Sequence, residues 1–189
     1  MNNNEMEQII FDVYDSLNTN NFKTLSKPEI PMYDRPLVGV AAGDDPYYDF
    51  LKEHVGPFHW DPAEVFQLKY PGPVGREKLR VVSMAFPQSV EAKKAQSKEQ
   101  KCPAREWIVS RGEWEPMMKE FSGKLVEKLE SMGIRCVSID LQPEFSTVMS
   151  ETLGLSSRWS HRHSAYLAGL GTFGISEGLI TESGKAVRI

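Results

Sequence analysis

The sequence predicts one mixed domain of the α/β class, and three observations lead to this prediction. The 189 residues are 40% apolar and 25% charged, a composition typical of a single globular domain. Several stretches repeat apolar residues at helical spacing, whereas the runs 37–43 and 79–87 are almost continuously apolar, as buried strands are. A helical stretch that stops at Gly133 precedes a further strand-like run, 134–140, as in a crossover onto a sheet.

Residues 1–36 are expected to form a helix and a proline-rich connector in front of a core that spans residues 37–189. The helix is indicated by apolar residues spaced i, i+3, i+4, i+7 and i+11, namely Met6, Ile9, Ile10, Val13 and Leu17. Three prolines between positions 26 and 36 favour an extended connection. After the first strand, Asp44 or Asp45 is expected to cap a helix. Its predicted inner face holds Tyr47, Phe50, Leu51 and His54.

The middle of the chain is expected to be helical. Residues 91–101 are nearly all charged or small, which predicts a solvated helix or a loop without core residues. One helix is expected to start at Pro103 and another after Gly112. The second presents an apolar stripe of Trp114, Met117, Met118, Phe121, Leu125 and Leu129.

Composition excludes several classes of protein. The only cysteines, Cys102 and Cys136, cannot build a disulfide framework or a cysteine-ligated zinc or iron–sulfur site within these residues. A net charge of −4 gives no reason to expect nucleic-acid binding through phosphate contacts. No apolar run approaches the ~20 residues that cross a bilayer, and the acidic N-terminus is unlike a secretory signal. We therefore expect a cytoplasmic protein with no membrane partner.

The segment 159–189 carries the most information. Ser160 is expected to cap a short helix through Ala168, and Gly169, Gly171 and Gly174 follow within six positions. Glycines allow another group to approach the main chain closely, so this loop could hold a phosphate or the rim of a planar cofactor. The alternative is a helix cap followed by a tight turn into a strand. The final residues, GLIT, SGK and AVRI, are typical of a hairpin with a Ser-Gly turn.

Three motifs resemble one protein family. The segment SHRHSAYLAGLGTFGISEGLIT, the helix start CPAREWIVSRGEW and the closing GLITESGKAVRI are similar to the epoxyqueuosine reductase-like iron–sulfur proteins. These are relatives of the corrinoid-dependent reductive dehalogenases. The resemblance covers residues 79–189.

The resemblance implies an α+β sandwich with a central mixed sheet flanked by helices, a nitroreductase-like core adapted to hold cobalamin. Cobalt in a low oxidation state would reduce a small molecule or a modified nucleoside, so a nucleic acid would be a partner only as a tRNA substrate. Electrons would come from two 4Fe-4S clusters in a ferredoxin-like module or from a separate donor protein. Because the chain stops inside the expected last strand, we expect it to be truncated before that module and inactive alone; a member that lost the module is the alternative.

The resemblance also assigns site residues. Proton donors are sought among His161, His163 and Tyr166, and the cofactor would contact Arg162, Ala168, Gly169, Leu170, Gly171, Thr172, Phe173 and Gly174. No metal ligand is assigned, because two histidines two positions apart on a helix lie about 200° apart. Exposed histidines, an ordinary ion pair of Arg162 and core packing of Tyr166 remain the structural alternatives.

Two departures from the family pattern put the substrate in doubt. The family's Asp-Thr-Gly-Pro segment corresponds to the region of Leu155, where no carboxylate stands, and Glu151 is the nearest one upstream. The Gly-Lys-Asn after the family's loop is replaced by Gly174, Ile175 and Ser176. A non-catalytic module for a cofactor or small ligand and a flavin-binding nitroreductase relative are therefore kept as alternatives.

Overall fold

The computed structural model describes residues 2–189 and has an α+β fold. Its helices are α1 (Asn3–Asp15), α2 (Tyr47–Val55), α3 (Pro62–Gln67), α4 (Val90–Ser97), α5 (Arg105–Gly112), α6 (Trp114–Ser131) and α7 (His161–Leu167). Its strands are β1 (Leu37–Ala42), β2 (Arg80–Pro87), β3 (Thr147–Ser150), β4 (Gly154–Ser157), β5 (Gly171–Phe173), β6 (Leu179–Thr181) and β7 (Val187–Arg188). Short 3₁₀ turns lie at Lys23–Leu25, Arg76–Lys78 and Ile139–Leu141.

The main sheet has the order β1-β2-β7 and is antiparallel throughout. β1 and β2 pair along their length, from Leu37 opposite Ala85 to Ala42 opposite Arg80. The expected central mixed sheet is therefore wrong. A parallel neighbour would have come from the predicted strand 134–140, but that segment forms no ladder with β2 and contributes only the 3₁₀ turn at its end.

Helix α6 builds the main core against the sheet. Its predicted stripe is buried from Met117 to Leu129, and Phe121 meets Phe86 of β2 edge to face at a ring distance of 5.2 Å. Aromatic pairs in this geometry add stability beyond the area that they bury. The helix and the buried stripe that the spacing predicted are thus confirmed.

The N-terminal residues belong to this same core. Helix α1 begins with a capping box between Asn2 and Glu5. Its Ile10 is completely buried in the main core. The connector is also buried at Tyr33, whose hydroxyl donates to the Ser110 carbonyl at 2.8 Å. Residues 2–36 therefore pack with the rest of the chain as part of one hydrophobic cluster.

The terminal hairpin predicted for GLIT and AVRI is wrong in its pairing. β6 pairs with β5, and β7 instead adds to β2, with Phe86 opposite Arg188. Gly184, at φ +85°, closes a tight turn on Thr181, after which Ala186 accepts a hydrogen bond from the Gln88 N–H at 2.8 Å. The chain thus leaves the turn toward the main sheet. A further hairpin, β3–β4, was not predicted.

Helix α2 turns a different face inward from the one predicted. Tyr48 and Leu51 are buried, whereas Phe50 is 44% exposed and His54 is exposed. The Asp45 side chain accepts a hydrogen bond from the Tyr47 N–H, but the N-cap position is held by Pro46, so the expected aspartate lies one residue before the cap. Within residues 2–189, no helix is both long and apolar enough to cross a membrane.

Replacing Phe121 with alanine is expected to lower the free energy of unfolding by about 3–5 kcal/mol, because it removes a fully buried ring from the main core. Urea denaturation followed by circular dichroism measures this loss. The control is Met132→Ala, which removes a side chain that is half exposed at the end of the same helix and is expected to change stability by less than about 0.5 kcal/mol. Equal losses in both variants would contradict the assignment of the core.

Candidate functional site

Helix α7 holds the predicted catalytic residues. Ser160 caps it as expected, with its hydroxyl accepting from the His163 N–H at 3.4 Å and lying 2.7 Å from His163 Nδ1. Ala165 and Ser164 face inward, which fixes the helix against the sheet. Because these two residues face inward, Tyr166 on the same helix points outward and is exposed.

The two histidines of α7 point to different surroundings. His161 Nε2 lies 3.3 Å from Asp140 Oδ1, and its ring meets Phe145 edge to face. His163 instead lies beside Phe173, with ring centroids 4.8 Å apart. The helical spacing predicted that the two histidines point in different directions, and the structure confirms this. Within residues 2–189, no cluster of three or more His, Cys, Asp or Glu side chains is placed to hold a metal.

Five side chains from α2, α7 and β5 form a continuous aromatic surface, here called the aromatic face: Tyr47, Phe50, His163, Tyr166 and Phe173. Neighbouring rings lie 4.8–6.0 Å apart, with Tyr47 contacting rings on both helices. Phe50 and Tyr166 remain 44% and 40% exposed. The face thus combines two predicted catalytic residues and one residue of the glycine loop with rings that are partly open to solvent and tilted by 27–52° to one another.

The electrostatics of His163 favour its neutral ring. Partial burial lowers its pKa, and the positive charge of Arg162 lowers it further. With Nδ1 beside the Ser160 hydroxyl, the ring has a fixed orientation. Near neutral pH it is therefore better suited to accept a proton or a hydrogen bond than to donate a proton. Tyr166, exposed and carrying a hydroxyl, is the stronger candidate donor on this face.

Arg162 is engaged by the chain itself. Its Nη1 donates to the Glu177 carbonyl at 2.8 Å, in the turn between β5 and β6. Glu177 has φ +56°, an unusual conformation for a residue with a side chain, and this hydrogen bond helps to hold it. The guanidinium thus stabilises the hairpin that follows α7, in addition to any contact with an anion.

The glycine loop is packed closely against neighbouring strands. A Cβ atom at Gly171 would overlap the carbonyl of Ile180, and one at Gly174 would lie 2.9 Å from the Ile180 side chain. On the other side, Gly39 of β1 leaves room for the Ala168 carbonyl and for Leu170. Gly169, at φ +76°, ends the helix, while Thr172 is exposed on β5. The close approaches at Gly171 and Gly174 are thus made by β6.

Two buried polar side chains that the sequence did not single out lie behind the site. The Tyr48 hydroxyl and both ring nitrogens of His59 have no hydrogen-bond partner within the described residues, and both side chains stack near Trp159. Burial raises the pKa of Tyr48 to about 12 and lowers that of His59 to about 4. His59 is therefore neutral at physiological pH.

A separate cavity of about 430 Å³ lies between β2, α6 and residues 134–140. His161 and Ser164 reach its wall, but no residue of the glycine loop does. The cavity and the aromatic face are thus distinct features. Sequence reasoning missed the cavity because it expected residues 134–140 to be paired in the sheet.

Comparison with protein-family models finds no match for this chain, and comparisons with curated proteins and with solved structures find none either. The resemblance to the epoxyqueuosine reductase-like proteins therefore rests on the three sequence motifs.

Replacing Gly171 with alanine is expected to lower the free energy of unfolding by about 1–3 kcal/mol, since the new methyl group must displace the Ile180 backbone. Thermal unfolding measures the effect. Gly112→Ala is the matched control, because a Cβ there meets open space at a helical position, and it is expected to be neutral or slightly stabilising. An unchanged melting temperature for Gly171→Ala would show that the loop does not need a glycine there.

His59→Met is expected to reduce the pH dependence of stability. The pKa of His59 is lower in the folded protein, so its contribution is complete above about pH 6.5 and is lost as the pH falls toward about 4, where the unfolded chain binds the extra proton. Urea titrations at pH 7 and pH 5 should show a loss in the wild type that is larger by roughly 1–2 kcal/mol than in the variant. Parallel losses would mean that His59 is protonated without unfolding.

Proposed function

We propose that this chain is the cofactor- and substrate-binding module of a corrinoid-dependent reductase that resembles the epoxyqueuosine reductase-like proteins. The observation that supports the proposal best is the aromatic face. It brings His163, Tyr166 and Phe173, which the resemblance selects as catalytic or cofactor-binding, within contact of one another. Residues chosen from motifs alone thus meet on one accessible surface.

Three places in the structure bear on the fit of the cofactor. A corrin macrocycle is far larger than the ligands that a 430 Å³ cavity encloses, and this cavity does not border the glycine loop. The main chain of Gly171 is covered by Ile180, so the amide seat expected there does not fit the group. The aromatic face is the place that offers a broad ring exposed apolar contacts, because Tyr166 and Phe50 are exposed and adjoin Phe173 through Tyr47 and His163.

On this proposal, Tyr166 and Phe173 hold the cofactor through contacts with its face, and Tyr47 extends the surface. The bound cofactor would supply electrons from cobalt to the substrate. The Tyr166 hydroxyl is the proton source that the chain offers beside it, and solvent can replace that proton because the side chain is exposed. The Ser160 hydroxyl, 2.7 Å from His163 Nδ1, holds the His163 ring in a fixed orientation in which it can hydrogen-bond to the substrate.

The electrons must come from outside these 189 residues. Two cysteines, Cys102 and Cys136, cannot ligate a pair of 4Fe-4S clusters. The proposal therefore includes an electron-donor protein or domain as a partner. Without it, we expect binding of the corrinoid but no turnover.

An exposed aromatic surface also suits an isoalloxazine ring, so a flavin-binding or non-catalytic ligand-binding module is the second candidate. The exposed stack of Tyr47 and Phe50 is compatible with either guest. The absence of a carboxylate near Leu155 favours this candidate over a complete reductase site. The two candidate functions differ in the ligand that the purified protein is expected to retain.

Purified protein mixed with hydroxocobalamin is expected to retain it on a desalting column with a shifted visible spectrum. Tyr166→Ala and Phe173→Ala should each weaken retention by roughly three- to tenfold, as expected for one lost stacking contact. Tyr70→Ala is the control, because Tyr70 stacks on Phe66 of α3 and contacts no ring of the aromatic face.

Retention of FMN alone would contradict the corrinoid proposal and favour the second candidate. Retention of neither ligand by a folded protein would contradict both. Equal retention by the wild type and by both aromatic-face variants would mean that the ligand binds elsewhere.

A further inference from the structure

The outer surface of α4, α5 and the loop between them is basic. Residues 93–111 contain six basic and two acidic side chains, in a chain whose net charge is −4. Helices α4 and α5 pack against each other, and the Gln96 side chain accepts a hydrogen bond from the Ala104 N–H at 3.0 Å across the loop. The charges of both helices therefore lie together on one part of the molecule.

Helix α4 directs basic side chains away from the core. Its Ala92 is completely buried. Val90, Lys94 and Lys98 follow one another at a spacing of four residues on the opposite side, and all three are exposed. Lys101, in the loop after the helix, is exposed as well. One apolar and two basic side chains thus lie in a line along α4, and the loop adds a third basic side chain.

Helix α5 has the same arrangement. Its Ser110 is completely buried, whereas Arg105, Ile108 and Arg111 are exposed on the other side at a spacing of three residues. Ile108 is 54% exposed and therefore has no packing partner over half of its surface. The two helices and their loop form one surface, here called the basic surface: Lys94, Lys98, Lys101, Arg105 and Arg111.

Two of the three acidic side chains in residues 90–111 are paired elsewhere. Lys27 of the connector lies 3.0 Å from Glu91 Oε1 and 2.9 Å from Glu106 Oε1, so a single ammonium group offsets both carboxylates. Glu99 is the third and is exposed. Within residues 2–189, no member of the basic surface forms a salt bridge. The basic surface therefore has positive charges that a complementary acidic partner would offset.

We propose that the basic surface binds an acidic segment of a partner protein that also carries apolar side chains. The exposed Val90 and Ile108 favour a protein over other anionic partners, because the phosphates of a nucleic acid offer them no apolar contact. A bilayer binds helices that expose a continuous apolar face, whereas α4 and α5 each expose one large apolar side chain. Interfaces between proteins combine apolar and charged contacts. The basic surface shares no residue with the aromatic face, so the proposal is independent of the corrinoid.

The test uses the fluorescein-labelled peptide Glu-Glu-Leu-Glu-Glu-Ile-Glu-Glu, whose binding to the wild type is measured by fluorescence anisotropy. A control peptide has glutamine in place of every glutamate. A single-stranded oligonucleotide of the same charge and phosphatidylserine vesicles represent the other anionic partners. We expect the acidic peptide to bind at least about tenfold more tightly than the control peptide and the oligonucleotide, with an affinity that falls as salt is added. Tighter binding of the oligonucleotide or of the vesicles would overturn the proposal.

Protein variants test the location. Lys94→Glu combined with Lys98→Glu should weaken the acidic peptide at least about tenfold. Lys78→Glu combined with Lys128→Glu makes the same change in net charge at exposed lysines outside the basic surface and should alter the affinity by less than about twofold. Ile108→Ser should weaken the peptide severalfold without changing its salt dependence, since it removes an apolar contact only. Equal losses in the two double variants, an unchanged affinity of Ile108→Ser or failure of the peptide to bind the wild type would each overturn the proposal. The comparison of ligands needs only the wild type, so it holds even where a variant does not fold.

Discussion

The candidate site depends on the close approach of β1 to the end of α7. Gly39 lies where any side chain would overlap the Ala168 carbonyl and crowd Leu170. Because β1 is fixed in register by β2, this contact sets the position of α7 on the sheet. His163 and Tyr166, on the same short helix, are thereby brought against Tyr47 of α2. A side chain at Gly39 would therefore push the end of α7 away from β1 and disturb the aromatic face.

The features that local sequence patterns could predict are those that depend on neighbouring residues. The stripe on α6, the strands at 37–42 and 80–87, and the Ser160 cap all follow from spacing or from a single side-chain hydrogen bond. The outward divergence of His161 and His163 likewise follows from helical geometry. The candidate residues on α7 and in the loop were selected instead through the resemblance of their motif to a family, which local spacing does not supply.

The remaining features depend on partners distant in the chain. β7 was assigned to a local hairpin because its partner, β2, cannot be found from the residues around the Ser-Gly turn. Residues 134–140 have the composition of a strand but lie across a cavity from the edge that they were expected to join. Tyr47 contacts His163 and Tyr166 of α7 while Tyr48 and Leu51 are buried, whereas the spacing on α2 had wrongly placed Phe50 and His54 on the inner face. His59 carried no motif, and only its complete burial makes it notable.

The short length of β7 has a consequence for local dynamics. Two residue pairs attach it to the sheet, and the buried Arg188 Nε beside them has no partner within the described residues. Such an element opens at a lower free energy than the core strands around it. The amide hydrogens of Phe86 and Gln88 should therefore exchange with solvent by local detachment of the last strand, far faster than those of Val81 and Ser83, which are held by β1.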